Sequence, residues 1–116
     1  MSQKFELNRP NTLTCPDCGG SLQETVVEGS PHYTCHIGHR FTASDMDAGQ
    51  LQQMETALAV ALRTLNERVE LCRRMAETSK ENGQAYAAER WEKSRQEAED
   101  RARVLRRFVS QDWIAP

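Results

Sequence analysis

The sequence predicts an α+β chain: a small β-rich module over residues 10–43, then a long antiparallel α-helical hairpin over 44–109, with a tail at 110–116. Three observations predict it. Turn-forming clusters crowd the first 43 residues. The hydrophobic period changes from strand-like to helical near residue 43. An Asn82-Gly83 pair then divides the helical part in two.

The turn clusters are Arg9-Pro10-Asn11, Cys15-Pro16-Asp17, Gly19-Gly20, Glu28-Gly29-Ser30-Pro31 and Gly38. Between them lie β-favouring runs at Leu22–Val27, His32-Tyr33-Thr34 and Arg40-Phe41-Thr42. Short runs of β-branched and aromatic residues bounded by Gly and Pro read as a hairpin-based, three-stranded mini-sheet. So small a sheet buries too few apolar side chains to offset the entropy of ordering its chain, so it needs a staple.

The staple is legible in the same segment. Cys15-Pro16-Asp17-Cys18-Gly19-Gly20 places two thiols two residues apart, a spacing that grips one ion only if the backbone turns tightly between them. Pro16 presets that turn, and Gly19 permits the positive φ that follows. Cys35-His36-Ile37-Gly38-His39 supplies a second pair at Cys-x3-His spacing, with Gly38 at the bend. Cys15, Cys18, Cys35 and His39 are therefore the expected ligands of a structural Zn2+, making the module zinc-ribbon-like. His32, three residues before Cys35, is the alternative fourth ligand. His36 is adjacent to Cys35 and is expected to point away from the same ion. Four protein ligands leave no open coordination position, so no catalytic metal is expected. Three thiolates clustered in a chain read as cytoplasmic point to a metal before they point to disulfides.

From Ser44, the expected N-cap of the first helix, Asp45 and Asp47 favour the helix dipole. Apolar residues recur at Leu58, Leu62, Leu65, Val69, Cys72 and Ala76, in steps of four and three. That heptad seam is broadened by Met54, Ala61 and Met75. The helix is expected to stop near Glu81, before Asn82-Gly83. The second helix, 84–109, carries a seam at Ala87, Trp91, Ser94, Ala98, Arg101, Leu105 and Phe108, with Ala88, Ala98 and Ala102 allowing close approach. The short connection makes the two helices antiparallel neighbours. Two helices cannot enclose a core, so the hairpin is expected to pack on the zinc module, on a second copy as a homo-oligomer, or on another protein partner. Cys72 reads as a small buried hydrophobe. Trp113 is expected to fold back on the hairpin.

Charge narrows the function. Net charge is −2, with three Lys/Arg against four Asp/Glu up to residue 43 and twelve against thirteen beyond it. Nucleic acid is disfavoured by that balance. Arg63/Glu67, Arg73/Glu77 and Lys93/Glu97 read as ion pairs on a solvated face. Arg101, Arg103, Arg106 and Arg107 gather at a helix C-terminus, where the dipole rewards cations. No nucleophile–base arrangement and no phosphate loop stands out, so the chain is expected not to be an enzyme. No 18-residue apolar run exists, and Met1–Glu6 lacks the apolar core of a secretory signal, so a cytoplasmic protein is expected.

The segments Leu13-Thr14-Cys15-Pro16-Asp17-Cys18-Gly19-Gly20-Ser21-Leu22 and Tyr33-Thr34-Cys35-His36-Ile37-Gly38-His39-Arg40-Phe41 precede a hairpin containing Ala61-Leu62-Arg63-Thr64-Leu65-Asn66-Glu67-Arg68. This arrangement resembles the C-terminal extension of certain bacterial CheB-type chemotaxis methylesterases, over roughly residues 12–108. The resemblance implies Cys35, Gly38 and His39 as the second knuckle. It implies no catalysis, because the esterase activity of that family belongs to a separate domain. What it implies is an accessory module for docking or self-association in bacterial signalling. A zinc-ribbon nucleic-acid-binding regulator and a thiol/zinc redox switch are the alternatives.

Overall fold

The computed structural model describes residues 9–114; the reading of Met1–Glu6 and the last two residues of the tail lie outside them. The fold is α+β: a small antiparallel sheet followed by two helices packed as a hairpin. It divides into two compact units, Met1–Gln53 and Met54–Pro116.

In the first unit, β1 (Leu22–Val27), β2 (Ser30–Cys35) and β3 (Arg40–Thr42) form a sheet of order β1-β2-β3, antiparallel throughout. The β1–β2 hairpin closes from the Val27–Ser30 pair through Glu28 (φ 52°) and Gly29 (φ 83°). Positive φ at both central residues marks the turn whose twist matches that of the flanking strands. Pro31 falls where β3, which pairs only His32–Thr34, does not reach. The core of this unit is Cys15, Leu22, Cys35 and Met46, with Tyr33 and Phe41 packed against it. Two of these four, Cys15 and Cys35, belong to the expected ligand set, so the hydrophobic contribution is as small as the sequence implies.

Helix α1 runs Ala43–Glu81. Its cap is Thr42, not Ser44. The Asp45 N–H donates to Thr42 Oγ1 (3.1 Å) while the Thr42 N–H donates to Asp45 Oδ2 (3.2 Å), a reciprocal capping box. Thr42 is still paired with His32, so strand passes directly into helix and no residue is left over to let Ser44 serve as cap. The other end is as expected: the Gln84 N–H donates to the Ser79 carbonyl (2.8 Å) and the Gly83 N–H to that of Lys80 (3.1 Å), with Gly83 at φ 70°. That pair of bonds is a Schellman motif.

Helix α2 runs Ala85–Val109. The α1 seam is as expected, deepening from half-buried Leu58, Leu62, Leu65 and Val69 to fully buried Cys72 and Ala76, but Ala61 is exposed. The α2 seam holds in part. Ala98 is buried and Ala87, Trp91, Ser94 and Leu105 are half-buried, and the close-approach residues Ala88 and Ala102 are buried as expected. Arg101 and Phe108, by contrast, are exposed, and Arg95 is half-buried in their place. The helices meet at the alanines because small side chains permit close backbone approach, which leaves the bulk to the flanks. Arg106 reaches across to Asn66 Oδ1 (2.9 Å). On the surface, Arg73 bonds Glu77 as expected, but Lys93 pairs with Glu89 (3.3 Å) and Glu97 with Arg101 (4.0 Å). In both revised pairs the acid lies four residues before the base, the orientation the helix favours. Trp113 folds back edge-on to Phe108, ring centroids 6.1 Å apart. No helix among the described residues is long and apolar enough to cross a membrane.

Candidate metal centre

The two knuckles are built differently. In the first, the Cys15 N–H donates to the Gly20 carbonyl (2.7 Å) and the Gly19 N–H to the Cys15 carbonyl (2.9 Å), so the chain reverses between Cys15 and Gly20. Gly19 takes φ 76°, the conformation expected of it. A Thr14–Ser21 bridge and the Leu22 N–H bond to the Leu13 carbonyl (2.9 Å) clamp the loop at its base. The second knuckle is the β2–β3 connection. Cys35 ends β2, the Cys35 N–H donates to the His39 carbonyl (3.0 Å), and Gly38 (φ 109°) donates to the Cys35 carbonyl (3.0 Å).

These turns bring one ligand atom each from Cys15, Cys18, Cys35 and His39 within 4.8 Å of one another. Cys18 Sγ lies 3.8 Å from Cys35 Sγ, and His39 Nδ1 lies 3.3 Å from Cys35 Sγ and 3.6 Å from Cys15 Sγ. A tetrahedral ion with metal–sulfur bonds of about 2.3 Å and metal–nitrogen bonds of about 2.0–2.1 Å requires edges of about 3.8 Å and about 3.6 Å respectively. The residues therefore fit an ion at their centre. All four cysteines are free, and Cys15 and Cys35 are buried while Cys18 is exposed and His39 half-buried.

The site is electrostatically prepared for thiolate. Burial pushes the Cys35 thiol up, but the N–H groups of His39, Ile37 and Gly38, with the Cys18 thiol, outweigh it and bring it down to about 6. The His39 N–H points at Cys35 Sγ from 3.3 Å. At Cys18 the Gly20 backbone favours the thiolate, yet burial and the neighbouring Cys15 and Cys35 prevail and push the thiol up. Three sulfurs so close repel as anions, and a cation among them relieves that repulsion.

His32, the alternative ligand, sits in β2 opposite Thr25 and Thr42 and is not in the set. His36 lies over Gly20: a Cβ built there would stand 3.2 Å from His36 Cε1. Cys72 is buried in α1, outside the set. One supporting contact had no signal in the cysteine spacing. Gly49 of α1 lies against Pro16 of the first knuckle, leaving no room for a side chain. A glycine in the second turn of a long helix was the only hint.

Comparison with family models, curated proteins and solved structures finds no match. The functional reading rests on the site and the hairpin.

Proposed function

We propose that this chain is a non-enzymatic, structural-zinc protein whose helical hairpin serves as a protein-interaction and oligomerisation module. The observation that carries it is the Cys3His set, with edges that match a tetrahedral ion and no fifth group in the cluster among the described residues. Zinc favours this mixture of thiolate and imidazole, and with four protein ligands it has no vacant position for water or substrate. The metal folds the small β unit, whose core is half made of ligand cysteines.

The interaction role is supported by what the hairpin leaves uncovered. Its fully buried hydrophobic residues are Cys72, Ala76, Ala88, Ala98 and Ala102, all small, while Val60, Leu71, Val104 and Phe108 remain exposed. The resemblance to the extension of CheB-type methylesterases agrees with an accessory role in bacterial signalling. The even charge balance gives nucleic acid little to recognise.

Metal analysis of purified protein tests the zinc reading. One zinc per chain is expected, and its absence from protein with an ordered β unit would refute it. Charge substitutions on the hairpin, such as Leu71→Asp and Val104→Asp, test the interaction role. At least one should abolish complex formation while the zinc content stays at one. Complexes indifferent to every such change would end that reading.

A further inference from the structure

The three sulfurs of the metal centre are not equally placed. Cys15 and Cys35 are 0 % and 3 % exposed, whereas Cys18 stands open to solvent in the turn of the first knuckle. A zinc ligand is a thiolate in every case, so accessibility is what separates the three as nucleophiles. A small dissolved oxidant meets Cys18 first, because oxidation follows thiolate character and exposure together.

The sulfur in contact with Cys18 across the site belongs to the other knuckle. Cys18 Sγ lies 3.8 Å from Cys35 Sγ, while Cys15 Sγ faces His39 Nδ1 at 3.6 Å. Cys35 is fixed at the end of β2 by the bond from its N–H to the His39 carbonyl (3.0 Å), and its sulfur receives the His39 N–H at 3.3 Å. A disulfide bond of about 2.0 Å therefore requires the pair to close by about 1.8 Å, a movement that falls to the exposed Cys18 side chain.

We propose that Cys18 is a site of oxidative modification by hydroperoxides, and that Cys35 converts the product to a Cys18–Cys35 disulfide with loss of zinc. The proposal rests on the zinc reading above and adds a regulation of that same site. The Cys18 thiolate attacks one peroxide oxygen, the O–O bond breaks, Cys18 becomes a sulfenic acid and the other oxygen leaves as hydroxide or alkoxide. The Cys35 thiolate then attacks the Cys18 sulfur, the S–O bond breaks and a hydroxide leaves. The two sulfurs together lose two electrons and the peroxide gains them. Of the four ligands only Cys15 and His39 remain, too few for a structural zinc site. The new bond joins the knuckles across 17 positions of the chain, so one staple takes the place of another. A dithiol reverses the change by exchange and is itself oxidised to a disulfide.

The whole zinc-loaded chain tests it, treated with one equivalent of hydrogen peroxide beside a chromophoric chelator, with a peroxide-free sample as baseline. The product is alkylated in denaturant and mapped by mass spectrometry without reduction. One zinc should be released per disulfide formed, with Cys18 linked to Cys35 and with Cys15 and Cys72 alkylated. Brief iodoacetamide labelling of the native zinc-loaded chain should mark Cys18 ahead of Cys15 and Cys35. A Cys15–Cys18 bond overturns the inference, as do a Cys18 oxidised further without a disulfide, equal labelling of the three cysteines, and zinc retained with every thiol intact. A chain that carries no zinc before peroxide is added refutes the zinc reading itself, so the two failures are told apart.

Discussion

Gly49 and Pro16 meet so closely that a Cβ on Gly49 would stand 2.8 Å from Pro16 Cγ and 3.1 Å from its Cβ. Gly in a helix interior costs about 0.5–1 kcal/mol relative to Ala, so the position is held against propensity. The second turn of α1 lies on the Cys-Pro-x-Cys knuckle, and the stiff pyrrolidine ring cannot move aside as a long side chain would. Gly49→Ala is therefore expected to destabilise the protein by about 1–3 kcal/mol, the usual range for overpacking, less the propensity gain. Thermal unfolding of the zinc-loaded protein measures it. A higher Tm for Gly49→Ala would show that the contact yields.

Cys18 and Cys72 make opposite predictions. Cys18 is exposed, so Cys18→Ser opens no cavity and removes only a ligand. Zinc affinity, measured by competition with a chromophoric chelator, should fall more than the 10–100-fold typical of losing a supporting group. Cys72 is fully buried in the helical seam, so Cys72→Ser should leave zinc affinity unchanged and lower stability by about 1–3 kcal/mol as a hydroxyl replaces a sulfur there. Zinc loss in Cys72→Ser, or retention in Cys18→Ser, would reverse the assignment of roles.

Glu70 lies 2.6 Å from Arg73 and 2.9 Å from Arg74. The hydrogen bond from Arg73, with that from Arg74, holds its carboxyl down to about 2, against an ordinary 4.5. A depressed carboxylate contributes stability that is present above its unfolded value and is lost as pH falls through its folded one. The contribution of this pair should thus be intact at pH 5 and decline between about 4.5 and about 2. Carboxyl-carbon NMR titration should place the Glu70 midpoint near the lower figure, and Arg73→Ala should move it upward. A wild-type midpoint near 4.5 would mean that solvent dissolves the pair.

How much of this was readable from the chain differs by element. The knuckle ligands were legible because few backbone paths bring Cys-Pro-x-Cys and Cys-x3-His together except around one point, and Gly19 and Gly38 advertise the bends. The Schellman stop at Gly83 was legible for the same reason. The α2 seam was legible only in part, since Arg101 and Phe108 are exposed. Stripes through Ala87, Ser94 and Arg101 or through Ala88, Arg95 and Ala102 share Trp91, Ala98 and Leu105, so hydrophobicity barely separates them. Close helix approach at Ala88 and Ala102, small residues that the sequence already offers for it, decides between the two stripes. The cap was ambiguous likewise: Thr42 and Ser44 each have an Asp three residues on, and only the strand pairing of Thr42 selects the first.

Glu28 is the clearest place to improve the fold. It takes φ 52° at the first position of the two-residue β1–β2 turn, where Gly29 follows at 83°. A left-handed conformation costs an ordinary L-residue about 1–2 kcal/mol, and Asn, whose short amide tolerates it, is the preferred partner of Gly in this turn. Glu28 is exposed, and substitution there disturbs no packed neighbour. Glu28→Asn is thus expected to stabilise the β unit by about 0.5–1 kcal/mol, comparable with other relieved backbone positions. Because the metal binds only the folded unit, the same energy should appear as about two- to fivefold tighter zinc binding. Chelator competition on Glu28→Asn measures it at a site seven residues from the nearest ligand in sequence, Cys35. Unchanged affinity would mean that the hairpin tip folds independently of the metal.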